Sequence, residues 1–439
     1  MTPQHMPLIC LYFQVHQPYR LRDIRITEIG QGKPEYFDAE KNRAIFRKVA
    51  EKCYLPANAL IEELLRTYPN FSVAYSLSGV FLEQCKEYGP DVLSSFQRLA
   101  QTGKVEFLAE TYYHSLSSLK SLEEFTEQVH IHAQRIEELF GQRPTVFRNT
   151  ELIYSNELSQ IARLMGFRGI LAEGADHLLN GRSPNVPFTP PTFTLPKEIG
   201  RVIHQQRQGG KTPEQITVLL KNYRLSDDVA FRFSDRSWVG FPLTSDRFTD
   251  WLVQSGGHSI NLFMDYETFG EHQWEDTGIF SFLRSLPELW EKRGIRAATP
   301  SQVIDLWKEE ETPVYDAHHA ISWADMERDL SAWQENAIQR SALESLFSLE
   351  KAVKERGDSN LLDLWRLLQT SDHFYYMCTK YWSDGDVHKY FSPYDSPYEA
   401  YRRFSHALCD LKQRLETPKE KKPARGLLSL LNLTFKQKS

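Results

Sequence analysis

Three residues stand where short apolar runs give way to polar sequence, and their side chains could do chemistry: His16, Glu151 and Asp265. The run Ile260 to Met264 sits behind Gly256-Gly257 and breaks into Asp265, Glu267, Glu271 and His272, with Gly270 supplying a turn. Such a run reads as a buried strand, and in parallel α/β architectures ligands bind where strands end. Two carboxyls across a cleft are the minimal apparatus of glycoside hydrolysis. One must be ionised to attack an anomeric carbon, and the other protonated to release the leaving oxygen. Free Asp and Glu both titrate near pH ~4, so burial or a neighbouring negative charge must raise one of them. Arg148, three residues before Glu151, could keep Glu151 ionised, although on one strand the two side chains would face opposite ways. Glu110 and His114 follow another apolar run and could line the same rim, with Glu267 beside Asp265. Taken singly, each of these groups would read as an ordinary polar strand end.

The elements that must position them alternate. Strands are predicted at 8–16, 71–78, 103–110, 145–151, 169–173 and 260–264. Helices are predicted at 41–66, 90–99, 121–140 (N-capped by Ser121), 155–165 and 280–293. This alternation implies a parallel sheet, and so many units favour a barrel. The Pro-rich stretch 176–200 reads as a long surface loop, 201–250 resists assignment, and 297–300 is expected to close the barrel region. Beyond about residue 310 the chain turns charged and amphipathic, with helices expected at 324–355, 358–369 and 396–415. Thr417 begins a basic linker and tail, with one short helix possible at 427–435.

The 439 residues carry a net charge of −6, which argues against a nucleic-acid or anionic-membrane partner and suits a neutral substrate. Aromatics at 13% are abundant, and flat aromatic faces stack on sugar rings. Cys10, Cys53, Cys85, Cys378 and Cys409 are odd in number and scattered, as expected of free thiols in a reducing compartment. There is no signal-peptide pattern and no apolar run of membrane-spanning length, so a cytoplasmic location is expected.

Five segments then resemble, in order, the signatures of glycoside hydrolase family 57 in its α-amylase branch. They are His16-Gln17-Pro18, Gly103 to Leu116, Phe147 to Tyr154, Phe263 to His272 and Ser331 to Gln339. The resemblance implies a (β/α)7 barrel over 1–310, a helical bundle over 311–416 that completes the cleft, and the tail 417–439. It implies a retaining mechanism on α-glucans such as starch, glycogen or maltooligosaccharides, with no metal and no cofactor. By position, Glu151 matches the nucleophile and Asp265 the general acid/base. His16 matches a sugar-binding histidine, and Trp333 a stacking surface from the helical domain. His114 departs from the pattern, since other branches of the family carry glutamate there. Three alternatives remain at this point. The same carboxylates could serve a 4-α-glucanotransferase or branching enzyme. A metal-dependent polysaccharide deacetylase would need an Asp/His/His cluster, which is not evident beside His16. A glycan-binding protein without catalysis is the third.

Overall fold

The computed structural model describes residues 6–31, 35–192, 194–206, 211–307, 311–380 and 387–417. The tail from 418 onward, including the stretch 427–435, lies outside the described residues, as do Met1 to His5.

Seven parallel strands form the centre: β1 (Leu8–Val15), β2 (Val73–Leu77), β3 (Val105–Phe107), β4 (Val146–Phe147), β5 (Gly169–Glu173), β6 (Thr217–Lys221) and β7 (Ser259–Asp265). They lie in the order β3-β2-β1-β7-β6-β5-β4. Just past β3, Ala109 bridges the two ends of this path: its N–H donates to Val146 O, and its carbonyl accepts from Arg148 N. The sheet therefore closes into a (β/α)7 barrel at Ala109. β8 (Arg296–Ala297), at the edge of the 297–300 stretch, pairs with β1 at Leu8 and Ile9, below the point where β1 and β2 come into register at Tyr12 and Ala74.

β1 is buried along almost its whole length and reads as a continuous apolar run, the pattern expected of a parallel strand covered on both faces. Inside the barrel, Cys10, Tyr12, Leu108, Leu171, Leu219 and Phe263 fill the floor. Outside, Phe13, Tyr75 and Tyr266 pack under the surrounding helices.

Helix Leu122–Phe140 starts where Ser121 Oγ accepts from Glu124 N and stops at Gly141, whose φ of 68° a side chain would resist. Asn156–Met165 repeats the device with Ser155 and Gly166. The region 41–66 is helical as expected, but a π-helical turn, Ala50–Tyr54, interrupts it. That turn packs on the loop after β7. Cys53 Sγ donates to Tyr266 O at 3.2 Å, and Tyr54 makes a short hydrogen bond to Glu267. Gly270 is required there: its φ is +117°, and a Cβ would stand 1.9 Å from Lys52 O.

Several expectations need correction. Helix Gly79–Tyr88 precedes the expected one at Pro90–Gln101. The 176–200 stretch is not purely a surface loop, because Phe188 is buried and pairs with Val218, and helix Lys197–Gln206 begins within it. The region 201–250 holds β6 and helices Tyr223–Ala230 and Ser245–Ser255. The single helix expected over 324–355 is three: Ser331–Gln334, Ala337–Phe347 and Glu350–Arg356. Asn336 caps the second, so the chain turns where an amphipathic pattern alone reads straight through.

Helices Ser359–Leu367, Ser371–Tyr375 and Pro397–Glu416 complete this C-terminal assembly. Its core of Trp333, Leu343, Trp365, Phe374 and Phe404 also takes in Leu21, Ile24 and Tyr36 from the loop after β1. Two backbone stitches bind it to the barrel. Leu116 N donates to Gln369 O at 3.3 Å, and Ser371 N donates to His114 O at 2.9 Å. Arg366 adds a buried ion pair to Glu124 at 2.8 Å.

Candidate active site

A cleft of about 440 Å³ opens at the C-terminal ends of the strands, roofed by the C-terminal segment. From the barrel it is lined by His16, His114, Glu151, Lys221, Asp265 and Glu267, and from the C-terminal segment by Trp323, Asp372 and Tyr375.

Glu151 is not on a strand. β4 ends at Phe147, and Glu151 lies in a tight turn, Thr150–Leu152, with φ 59° and ψ 25°. Leu152 follows at φ 50°, so two consecutive non-glycine residues occupy the left-handed region. Backbone held in this region tends to mark functional sites. Two donors grip the carboxylate. Ser371 Oγ–H donates to Oε1 at 2.8 Å, and Trp323 Nε1–H donates to Oε2 at 2.9 Å. His114 Nε2 stands 3.6 Å from Oε1. Burial, the largest single influence, would raise this carboxyl, but the His114 contact and the charges of His114 and Arg148 outweigh it and hold it below its ordinary value.

Asp265, at the end of β7, shows the reverse. Burial, and then the negative charge of Glu151, push it up to about 6 against Arg148, Lys221 and His114. Two carboxyls on one cleft thus have their proton affinities driven apart, one ionised and the other protonated in mild acid. That division is what separates a nucleophile from a general acid.

The remaining expected residues distribute as follows. His16 lines the cleft, its Nδ1 2.6 Å from Ser78 Oγ and its Nε2 3.0 Å from Asp372 Oδ2. His114 stacks on it, with ring centroids 4.0 Å apart. Glu110 is fully buried behind His114 and does not reach the cleft. Glu267 lines the cleft, and burial followed by the charge of Asp265 pushes it up to about 8. Arg148 also lies behind the cleft, fully buried, with its guanidinium 4.9 Å from the Trp323 ring centroid. Because β4 ends before it, the alternation that would point it away from Glu151 does not apply.

Trp333 is the correction. It is 1% exposed, sits in the helical core with Tyr375 at 6.3 Å, and does not line the cleft. Ala332 and Trp333 are the buried pair of a four-residue helix whose other face is solvated, so the indole is committed to packing. The indole in the cleft is Trp323, ten residues earlier. It is positioned by the antiparallel bridge between Ile321 and Tyr154 and flanked by Arg148 and by Lys221 at 5.4 Å. Trp323, Ser371, Asp372 and Lys221 were not anticipated from sequence. Lys221 closes a buried run, Thr217–Lys221, and an apolar strand ending in lysine was the available signal. Trp323 sits in an irregular segment, and Ser371 and Asp372 in a helix of five residues, too short for periodicity to reveal them.

Among the described residues, no three His, Cys, Asp or Glu side chains group closely enough to hold a metal ion. No described helix is long and apolar enough to cross a membrane.

Residues 10–318 match the family model described as Glycosyl hydrolase family 57. A protein of Methanocaldococcus jannaschii that carries the provisional name alpha-amylase is 42% identical over 414 residues, covering 92% of this chain and 84% of that protein. A GH57-type branching enzyme of Pyrococcus horikoshii superposes with a TM-score of 0.61 at 16% identity, over 85% of each chain. A 4-alpha-glucanotransferase of Thermococcus litoralis superposes at 0.59 and 16% identity, over 84% of this chain and 56% of the other, so this chain spans little more than half of that transferase. At these identities the two structures speak for a shared fold.

Proposed function

The chain belongs to glycosyl hydrolase family 57, and from that premise we propose that it cleaves α-1,4-glucosidic bonds of starch- or glycogen-type glucans or maltooligosaccharides, with retention of anomeric configuration. The observation that carries this reading is the opposed proton affinity of Glu151 and Asp265 on one cleft. Glu151 attacks the anomeric carbon while Asp265 gives its proton to the departing glycosidic oxygen, leaving a β-glucosyl ester on Glu151. Asp265, now ionised, takes a proton from water. The oxygen of that water attacks the same carbon, and the ester bond to Glu151 breaks. Asp372, held on the cleft wall by His16, offers a carboxylate oxygen to sugar hydroxyls, and Tyr375 offers a ring face.

Transfer to a sugar hydroxyl, as in a 4-α-glucanotransferase or branching enzyme, would run through the same ester. The names of the structures that share the fold favour keeping that reading. The alpha-amylase name carried at 42% identity favours water. Five free cysteines, none paired, support a reducing, cytoplasmic setting.

Incubating Glu151→Ala with an activated α-glucoside and azide tests the central assignment. A β-glucosyl azide is expected, and unchanged wild-type turnover in this variant refutes it. Product sizes from maltoheptaose separate the acceptors: shorter products mean hydrolysis, and longer ones mean transfer.

A further inference from the structure

We propose that Glu110, His114 and Glu151 act as one unit, in which His114 is an imidazolium, held charged from behind by Glu110, that positions and electrostatically supports Glu151 rather than contacting sugar. This rests on Glu151 being the nucleophile. His114 Nδ1 lies 2.7 Å from Glu110 Oε2, and its Nε2 lies 3.6 Å from Glu151 Oε1, so both ring nitrogens face carboxylates. One face of the ring is covered by His16, and the residue is 3% exposed. Nδ1 and that face are closed to a substrate hydroxyl, and Nε2 is directed at Glu151. Its backbone is held at φ 49°, fixed by Ser371 N donating to its carbonyl. The fold therefore keeps a strained residue in place to aim this ring.

The charge state follows from what surrounds the ring. Glu110 is fully buried; its Oε1 accepts from Gln14 Nε2 at 3.0 Å, and among the described residues its Oε2 is hydrogen-bonded to His114 alone. A neutral imidazole would leave that carboxylate without a counter-ion at contact distance, which is costly in a buried site. Glu151 faces the ring from the β4 turn, Asp265 from β7 and Asp372 from helix Ser371–Tyr375, all acidic. Opposing them are His16 on the stacked face, His132 on helix Leu122–Phe140, and Arg148, whose charge acts on both glutamates. Burial opposes the charge on His114, but the two glutamates prevail and raise it to about 9. Its charge in turn helps burial to lower His16, so the stack pairs a charged ring with a neutral one. Neutral His16 then donates from Nε2 to Asp372 and accepts the Ser78 hydroxyl proton at Nδ1.

The unit has a catalytic consequence. When Glu151 becomes an ester its negative charge is gone, and an imidazolium beside it favours the return of that charge when the ester bond breaks. His114 thus supports the carboxylate both as attacking group and as leaving group.

Two measurements test this. Nitrogen-15 NMR of the histidine rings, with the His114 signal assigned by its loss in His114→Gln, should show a titration near pH 9. In Glu110→Gln it should fall toward the free value of about 6.5. In kinetics, both variants should move the acid limb of kcat/KM to higher pH and lower kcat, with KM little changed. Should His114→Gln not fold, Glu110→Gln, which keeps size and an acceptor oxygen, carries both readouts. His114 titrating below pH 7, or a loss confined to KM with an unmoved acid limb, overturns the proposal and makes His114 a sugar contact. If the wild type turns over no α-glucan, the proposed function falls. The NMR titration then still decides whether the charged unit exists.

Discussion

The indole N–H of Trp323 donates to Glu151 Oε2 at 2.9 Å, although 172 residues separate the two. Trp323→Phe keeps an aromatic ring against Arg148 and Lys221 and removes the donor. A hydrogen bond to a charged group contributes about 1.5–3 kcal/mol. A fall in kcat/KM of roughly 10- to 100-fold is therefore expected on maltooligosaccharides, with little change in melting temperature.

The pH profile follows from the two carboxyls. On the proposed mechanism Asp265 must be protonated to act as acid, and its value is about 6, so kcat/KM should fall as pH rises through about 6. Glu151 must be ionised, and its value is lowered, so the acid limb should lie below the ordinary glutamate value of about 4.3. A limiting basic pKa near that of free aspartate would contradict the geometry.

Asp265→Asn should abolish turnover yet stabilise the fold at neutral pH. A folded value raised above the unfolded one means that the carboxylate destabilises the native state, and the penalty grows as pH rises from about 4 to about 6. A gain of about 2 kcal/mol at pH 7, vanishing near pH 3, is expected from denaturation at the two pH values.

Arg148→Met addresses a buried guanidinium with no hydrogen-bond partner among the described residues. Its charge lowers both Glu151 and Asp265. Removing it should shift both limbs of the profile upward together, while stability holds or rises, as happens when buried charges give way to apolar groups. Movement of one limb alone would show that Arg148 addresses only one carboxyl.

Gly270→Ala should destabilise by about 2–4 kcal/mol and lower kcat. The added methyl meets Lys52 O at 1.9 Å, and the displaced loop carries Glu267, beside Asp265. Gly141→Ala is the control. Its φ is +68°, but nothing stands within 4 Å, so only about 1 kcal/mol is expected.

The parts of the site that were legible from sequence were those tied to strand periodicity. His16 and Asp265 each end an apolar run, and the structure brings both to the cleft. Glu151 was found for a partly wrong reason. It was read as a strand residue but sits in a left-handed turn, and nothing in Phe147-Arg-Asn-Thr-Glu151 signals that conformation. Trp333 and Trp323 show the opposite difficulty. Both are tryptophans near the start of the C-terminal helical segment, and only tertiary packing decides which indole is buried in its core and which faces the cleft. Ser371 and Asp372 lie in a five-residue helix too short for any periodicity. The helices of the C-terminal half were recognised by composition, but their breaks at Asn336 and Ser348 depend on caps and turns that charge patterning hides.

The donors that grip Glu151 have a bearing on how the molecule comes into being. Trp323 and Ser371 lie 172 and 220 residues downstream of it. A nascent chain whose seven strands have already left the ribosome still presents an ungripped carboxylate. On the proposed mechanism, competence arrives only when the last quarter of the polypeptide has been made and has docked.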